Sequence, residues 1–335
     1  MPKKDKKRLL IQAYKGRAEV HNLIGKNKDA LKDIEKAIEL SKEIQDKKLT
    51  ADCILQLSRI YSSISRYDEM LKSAKEALLT YEAIKDKKGR AMSLNSIGIV
   101  HKSLGNYCLA FEYYNKSLKI KEEIGDRDGQ AMSLDNIGTL YYYFGNYCLS
   151  LEYCNKSLKI EEEIGDSVGE AYSLNSIGNV FIELKKFNQA LKYLQKSEKI
   201  AREIGLKDLL CNILISFGRL SVERKEIDKA KDYAELAVKE AQEIKSKEKE
   251  ASAMLLRARV LKCEEDFKQS IRIFEGLKRK YELAVAHYFY AEFLISQKKY
   301  NEAKKYLKKS EEFFKKIGNK PYLKKIKELY ESIKR

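Results

Sequence analysis

Three histidines are the side chains of this sequence best suited to acid–base chemistry near neutral pH or to metal binding: His21, His101 and His287. No phosphate-binding GxxxxGK loop, zinc-binding HExxH motif or nucleophile elbow accompanies them. Paired carboxylates such as Glu122 and Glu123 stand among other charged residues, which is typical of a solvated helix face. We therefore predict packed imidazoles, no catalytic residues and no enzymatic activity.

Cysteine thiols are the second group that could bind a metal ion or form disulfides. No two of the six form a CxxC pair or follow the spacing of a disulfide scaffold. Cys154 lies six residues after Cys148, nearly opposite on a helix, which is unsuited to shared metal coordination. We predict reduced thiols, no metal site and no cofactor for the full set: Cys53, Cys108, Cys148, Cys154, Cys211 and Cys263.

Positive charge is concentrated at the two ends of the chain. Of the formal net charge of +17, residues 1–10 carry +4 and residues 298–335 carry +9. Clustered Lys and Arg favour phosphate, so one alternative function is binding of nucleic acid or of an acidic partner through these ends. The aromatic residues of the C-terminal segment fall at helix-core spacing, which makes its lysines the solvated face. We therefore do not expect nucleic acid to be the partner.

Neither a signal peptide nor a membrane span is expected. The start of the chain lacks the apolar run of about 7–15 residues that a signal peptide needs, and no stretch approaches ~18 apolar residues. Together with the reduced thiols, this predicts a cytoplasmic protein without membrane contact.

A repeat of forty residues organises the sequence. Residues 91–130 align without a gap on residues 131–170 and are identical at 25 of 40 positions. Positions are counted from the first residue of these aligned segments, Ala91 and Ala131. A small residue recurs at the eighth position, as in Gly98, Gly138, Gly178 and Gly218, and the last step shortens to 33 residues, at Ala291. Small residues also recur at the twentieth and twenty-seventh positions. A regular internal period of this length predicts a stack of similar structural units.

Each unit has the pattern of two helices. Two apolar stretches with a helical period are separated by a short break, at Gly105 and Gly145 in the two most similar units. Glycines stand where second helices should end in a left-handed cap, and Asp126 and Asp166 can cap the helices that follow. The four predicted cap glycines are Gly125, Gly165, Gly205 and Gly318.

The pattern resembles the tetratricopeptide repeat (TPR) family, in which the eighth, twentieth and twenty-seventh positions are small and the eleventh and seventeenth are aromatic. Tyr141 and Phe181 fill the eleventh position, and Tyr147 and Phe187 the seventeenth. The forty-residue unit is similar to that of cell-polarity scaffolds and of bacterial TPR regulatory arrays, whereas the standard unit has 34 residues. The pattern departs from the family at Asn27, Met70, Ile227 and Leu277.

The resemblance implies an all-α fold, a right-handed α-α superhelix of about eight helix-turn-helix repeats closed by a C-terminal capping helix. We expect a basic N-terminal segment at 1–10, the array at 11–318 and the capping helix at 319–335. The expected repeats are approximately 11–46, 47–86, 87–126, 127–166, 167–206, 207–246, 247–280 and 281–318.

The resemblance also implies that first helices line a concave groove in which family members usually bind peptides or protein segments. The second, fifth, ninth and twelfth positions form one helical stripe and should face that groove. Asparagine amides there can donate to and accept from a peptide main chain, and basic residues favour an acidic partner. The predicted binding residues are Asn95, Lys102, Asp135, Thr139, Tyr142, Tyr172, Asn175, Asn179, Asn212, Arg219, Arg259 and Lys262.

Five tyrosines are expected to take different positions relative to this groove. Because consecutive helical residues point in different directions, Tyr141 and Tyr147 should be buried between helices while Tyr142 faces the groove with Tyr143 at its edge. Tyr142 and Tyr172 are therefore predicted aromatic anchors for a bound peptide.

The expected function is a non-enzymatic protein–protein interaction scaffold or adaptor. A second alternative, besides binding through the basic ends, is a peptide-sensing regulator. Because the repeat pattern already begins near residue 12, such a regulator is expected to act through a separate effector protein.

Overall fold

The computed structural model describes residues 3–334, and these form helices joined by short turns, with no β-strand among them. The helices run α1 Lys3–Leu23, α2 Asn27–Glu43, α3 Lys47–Ser63, α4 Tyr67–Ala83, α5 Lys87–Ser103, α6 Tyr107–Glu123, α7 Arg127–Tyr143, α8 Tyr147–Ile164, α9 Ser167–Glu183, α10 Phe187–Glu203, α11 Lys207–Glu223, α12 Ile227–Glu243, α13 Lys247–Leu261, α14 Glu264–Gly276, α15 Lys280–Ser296, α16 Tyr300–Ile317 and α17 Lys320–Lys334. The all-α helix-turn-helix class is confirmed.

The chain divides into two compact units, residues 1–133 and 134–335. The first unit contains α1 to α6 and the beginning of α7. The second contains the rest of α7 and α8 to α17. In both, a first helix packs antiparallel to the second helix of its repeat through a short turn.

Helix α1 begins at Lys3, so the described residues of the expected separate basic segment form its first turns instead. Residues 1 and 2 lie outside the described part of the chain. Lys7 pairs with Glu43 at 2.6 Å and Arg8 with Asp46 at 3.0 Å, which ties this basic stretch to the next helices.

Turn chemistry agrees with the sequence. The predicted cap glycines all have positive φ, between 69° and 71°, the left-handed conformation that glycine adopts without a steric penalty. The Asp126 and Asp166 side chains accept hydrogen bonds from the backbone N–H groups of Gly129 and Gly169, as predicted for N-caps.

Small residues let the paired helices approach closely. A Cβ atom added at Gly138 would lie 2.7 Å from Cys154 Sγ and 3.3 Å from the backbone of α8. At the twenty-seventh position, buried serines donate across the pair to the first carbonyl of their own repeat, as Ser197 does to Ala171 at 2.6 Å. Each of these buried hydroxyls has a hydrogen-bond acceptor, and Ser is nearly as small as Ala. Ser and Ala can therefore alternate at this position.

No helix in the part of the chain that the structure describes combines the length and the hydropathy needed to cross a bilayer.

Candidate functional site

A cavity of about 710 Å³ lies within the second unit, and first helices form most of its wall. The second, fifth and ninth positions of the last four repeats all line it. In chain order these residues are Tyr172, Asn175, Asn179, Asn212, Ile215, Arg219, Ser252, Leu255, Arg259, Val285, Tyr288 and Glu292. The stripe rule therefore extends into the last repeat, which follows the shortened seventh repeat and where the sequence pattern predicted no binding residue.

Nine of the twelve predicted binding residues meet on this wall: Asp135, Thr139, Tyr142, Tyr172, Asn175, Asn179, Asn212, Arg219 and Arg259. Asn95 and Lys102 lie in α5 of the first unit. There Asn95 is buried and its amide contacts Met132 Sδ at 3.8 Å, and Lys102 is half-buried.

Lys262 is not part of the cavity wall. Helix α13 has only 15 residues and ends at Leu261, so Lys262 becomes its exposed C-cap with a φ of 56°. The shortened seventh repeat removes the last turn that would have brought a twelfth-position side chain to the wall.

A polar network centred on Arg219 crosses the cavity. The guanidinium of Arg219 donates to Glu183 Oε1 at 2.6 Å, to Asn179 Oδ1 at 2.8 Å and to the Tyr142 hydroxyl at 3.0 Å. The Tyr142 hydroxyl donates in turn to Glu183 Oε1 at 3.3 Å. Burial raises the pKa of Tyr142 to about 12, so this hydroxyl stays protonated at neutral pH. Arg219 is thus neutralised by its own chain.

Glu183 is the main residue of the polar network that the sequence pattern did not predict. Burial acts to raise the pKa of this carboxyl, but the charges of Arg219 and Lys325 outweigh it and lower the pKa below the usual range. Glu183 lies four residues after Asn179 and therefore on the same face of α9. Extending the stripe by one more step of four would have found it.

The asparagines are only partly available to a ligand. The Asn179 amide donates to Asn175 O at 3.0 Å and to Ser216 Oγ at 2.9 Å, and its oxygen accepts from Arg219. Asn212 Oδ1 accepts from Lys249 Nζ at 2.9 Å. The expectation of a row of free amides is therefore modified, because neighbouring repeats use several of these groups among themselves.

Arg259 has a different environment from Arg219. Its guanidinium carbon lies 3.6 Å from the centroid of the Phe289 ring, and its nearest carboxylate oxygen, on Glu223, is 3.8 Å away. Burial and the charge of nearby Arg219 lower its pKa from the usual value. Stacking on the ring holds the planar cation in one orientation.

The C-terminal helix α17 reaches the first helices of the second unit. Asn319 Nδ2 donates to the Tyr143 carbonyl at 2.8 Å, and Lys325 pairs with Glu183 at 3.3 Å. The Tyr143 ring lies 4.3 Å, between centroids, from the ring of Tyr281 at the start of α15. The expected capping helix thus covers more than its neighbour α16, since it also contacts the opposite wall of the cavity.

Two tyrosine assignments need correction. Tyr141 and Tyr147, expected to be buried between helices, are half-buried. Tyr141 packs against Tyr153 at 5.3 Å between ring centroids, while Tyr147 turns toward Tyr142 at 5.8 Å. The turn between α7 and α8 leaves one side of both rings exposed. Tyr172 half-faces the cavity and its hydroxyl donates to Asp208 at 3.5 Å.

The histidines lie apart from the cavity wall. His287 is 5% exposed, and burial lowers its pKa to about 4, so the imidazole is neutral at pH 7. His101 stacks on Tyr113 at 5.5 Å, and His21 contacts Asp33 at 3.1 Å. All six cysteines are free thiols. Within residues 3–334, no group of three or more His, Cys, Asp or Glu side chains is arranged to hold a metal ion.

Several solved structures share this fold. A Rap protein in complex with Competence and Sporulation Factor aligns with a TM-score of 0.77 and 13% identity, over 95% of this chain and 88% of that one. The Rap conjugation gene regulator of the plasmid pLS20, in complex with the Phr* peptide, gives 0.65 and 13%, over 90% and 96%. Aspartyl phosphate phosphatase F from Bacillus subtilis gives 0.63 and 15%, over 83% and 74%.

Comparison with curated protein sequences finds no significant match. Models of the tetratricopeptide repeat match residues 50–123, 89–147 and 129–203, and a further one matches residues 284–315. These segments together cover more than half of the chain. The forty-residue period, the paired helices and these matches agree, and the chain belongs to the tetratricopeptide repeat family.

Proposed function

We propose that this chain is a non-enzymatic adaptor that binds a peptide or protein segment in the cavity of its second unit. One observation carries the proposal: the same three positions of four successive repeats converge on one wall. Such a wall offers regularly spaced contacts, which suit an extended chain better than a compact small molecule. The cavity volume of about 710 Å³ accommodates a segment of several residues.

The comparisons support a peptide as the ligand. One of the similar structures was determined in complex with the Phr* peptide, and another in complex with Competence and Sporulation Factor. They also support the alternative of a peptide-sensing regulator, in which binding changes how a separate effector protein is engaged. One similar structure is a phosphatase, but no histidine lines the cavity of this chain, which favours a binding role. We keep the cytoplasm as the proposed location.

The acidic partner expected from the sequence is not part of this proposal. Arg219 already forms an ion pair with Glu183, and Lys325 pairs with the same carboxylate. Two of the basic groups that suggested an acidic ligand are therefore neutralised within the chain.

The test is selection of random heptapeptides on the immobilised protein, followed by fluorescence anisotropy with a labelled peptide from the enriched pool. The variant Asn212→Trp/Ser252→Trp places two indoles on the cavity wall and should weaken binding at least about tenfold, because it fills the space for the ligand. Lys239→Trp on the exposed face of α12 is the control and should bind like wild type.

Thermal unfolding of both variants shows whether they stay folded. The proposal is rejected if the selection yields no binders, or if the wall variant, folded, binds as tightly as the control.

A further inference from the structure

The cavity is acidic although the chain is strongly basic. Six carboxylates line it: Asp135, Glu183, Glu223, Glu282, Glu292 and Glu328. Four basic side chains also line it: Lys185, Arg219, Arg259 and Lys325. The chain as a whole has a net charge of +17. Glu223, Glu292 and Glu328 are exposed on the cavity wall, and an excess of carboxylates there makes the cavity a place where a cation is attracted rather than repelled.

Three of these carboxylates, on α11, α15 and α17, lack a close ion-pair partner among the described residues. Glu183 is neutralised by Arg219 and Lys325, and Glu282 by Arg279 at 2.8 Å. By contrast, Glu292 on α15 and Glu328 on α17 form no ion pair or hydrogen bond with any residue in the described range 3–334. Within the described part of the chain, Glu223 at the end of α11 has only Arg259 as an ion-pair partner, at 3.8 Å. Three helices therefore bring three carboxylates together against a single guanidinium.

Tyr288 marks the centre of this group. The residue is 7% exposed and lines the cavity, and its hydroxyl has no hydrogen-bond partner among the side chains and backbone groups of residues 3–334. The carboxylates of Glu292, Glu328 and Glu223 and the guanidinium of Arg259 all lie close enough to act on this hydroxyl electrostatically. The Tyr288 side chain is thus more than nine-tenths buried, while its hydroxyl is open to the cavity and available to a group of the ligand.

We propose that Glu292, Glu328 and Glu223, with the Tyr288 hydroxyl as acceptor, form a subsite for a basic side chain, Lys or Arg, of the bound peptide. A Lys ammonium or Arg guanidinium supplies only donors, which the three carboxylates and the oxygen of the Tyr288 hydroxyl can accept. Arg259 is held against Phe289 and offsets about one of the three carboxylates. This inference rests on the proposed function, since it names the chemistry of the segment that the cavity would bind.

The experiment sequences the heptapeptide pools selected on wild type and on Glu292→Gln/Glu328→Gln. The control is Glu203→Gln/Glu243→Gln, which removes the same charge from exposed positions in α10 and α12 outside the cavity. On wild type and control, we expect one peptide position to be enriched in Lys or Arg. The cavity variant should lose that enrichment.

Anisotropy then compares one selected peptide with its Lys→Gln or Arg→Gln analogue. The substitution should weaken binding to wild type and control by about tenfold, and binding to the cavity variant by less than about twofold, as expected for partly exposed ion pairs lost together. Tyr288→Phe should weaken binding of the basic peptide and leave the affinity for the analogue unchanged.

The outcomes separate this inference from the proposed function. Binders that the Asn212→Trp/Ser252→Trp variant excludes, but that show no preference for basic residues, overturn the subsite and leave the peptide-binding role in place. Enrichment in Asp or Glu overturns it in favour of recognition by Arg259. No binders at all would reject both.

Discussion

At the scale of single residues, Glu161 makes the structure sensitive to pH. Its side chain is 3% exposed, its Oε1 accepts from Ser157 Oγ at 2.9 Å, and its Oε2 has no hydrogen-bond partner. Burial raises the pKa of this carboxyl to about 7 from 4.5. Between these two values the folded chain binds more protons than the unfolded chain, so stability falls as pH rises through this window.

We expect Glu161→Gln to remove this dependence. The Gln amide has the shape of the carboxyl group and cannot ionise. The free energy of unfolding of the variant should therefore exceed that of wild type by near zero at pH 4.5 and by about 2–3 kcal/mol above pH 7. Urea unfolding across this pH range measures the difference. Glu162→Gln, at the exposed neighbouring position, is the control. Equal pH profiles for wild type and Glu161→Gln would contradict the assignment.

Tyr142 is the residue whose expected role changes most. The sequence pattern assigned it to ligand binding alone, but its hydroxyl bonds to Arg219 and Glu183 and its ring packs against Tyr143 and Tyr147. Tyr142→Ala should therefore lower the free energy of unfolding by about 2 kcal/mol, less than a fully buried aromatic truncation. Tyr142→Phe should cost about 1 kcal/mol because only the hydroxyl bonds are lost.

Chemical denaturation of the two variants beside Tyr300→Ala, at an exposed position, measures these losses. Unchanged stability of Tyr142→Ala would show that the network around Arg219 does not hold the repeats together.

At the scale of helices, Gly138 governs how closely α7 and α8 approach. A side chain there would meet Cys154 Sγ and also the backbone at Cys154 N and Ser150 O, both at 3.3 Å, and backbone atoms cannot move aside independently. Gly138→Leu should lower the free energy of unfolding by about 1–3 kcal/mol. Gly276→Leu is the matched control, since Gly276 has no atom near its Cβ position and the change should be neutral or stabilising there. Denaturant unfolding of both variants measures the difference. If Gly138→Leu lowers the free energy of unfolding no more than Gly276→Leu does, the assigned packing of α7 on α8 is wrong.

The start of α17 combines two functions in Asn319. Its Oδ1 caps the helix by accepting from Tyr322 N at 2.9 Å, and its Nδ2 donates to the Tyr143 carbonyl. Asn319→Ala should therefore lower the free energy of unfolding by about 2 kcal/mol, about half from the lost cap and half from the lost long-range hydrogen bond. Ser246→Ala, which removes only a cap from α13, should cost about 1 kcal/mol. Equal losses in denaturant unfolding would mean that the contact with Tyr143 contributes nothing.

At the scale of the whole molecule, the sequence could predict the helix pairs because each depends on short-range signals. Positive-φ glycines such as Gly165 end helices, Asp166 begins the next one, and Gly138 marks a close helix contact. The stripe of second, fifth, ninth and twelfth positions found nine residues of the cavity wall for the same reason, since it follows from the period of a single helix.

The remainder of the site depends on contacts that no local pattern records. Whether Lys325 meets Glu183, or Asn319 meets Tyr143, is decided by the rotation accumulated over several repeats. The acidic balance of the cavity likewise arises from residues on separate helices, such as Glu223 and Glu328, which look like ordinary surface charges in the sequence. The expectation that the basic ends do not bind nucleic acid stays a prediction.

The contacts of Asn319 with Tyr143 and of Lys325 with Glu183 also bear on how this array can evolve. Tandem arrays change length by duplication, and residues 91–130 and 131–170, with 25 of 40 identical positions, carry the mark of such an event. A further copy inserted between Tyr143 and Asn319 would turn α17 away from α7 and break both contacts at once. Selection should therefore hold the copy number constant in this part of the chain, while lineages remain free to gain or lose repeats before it.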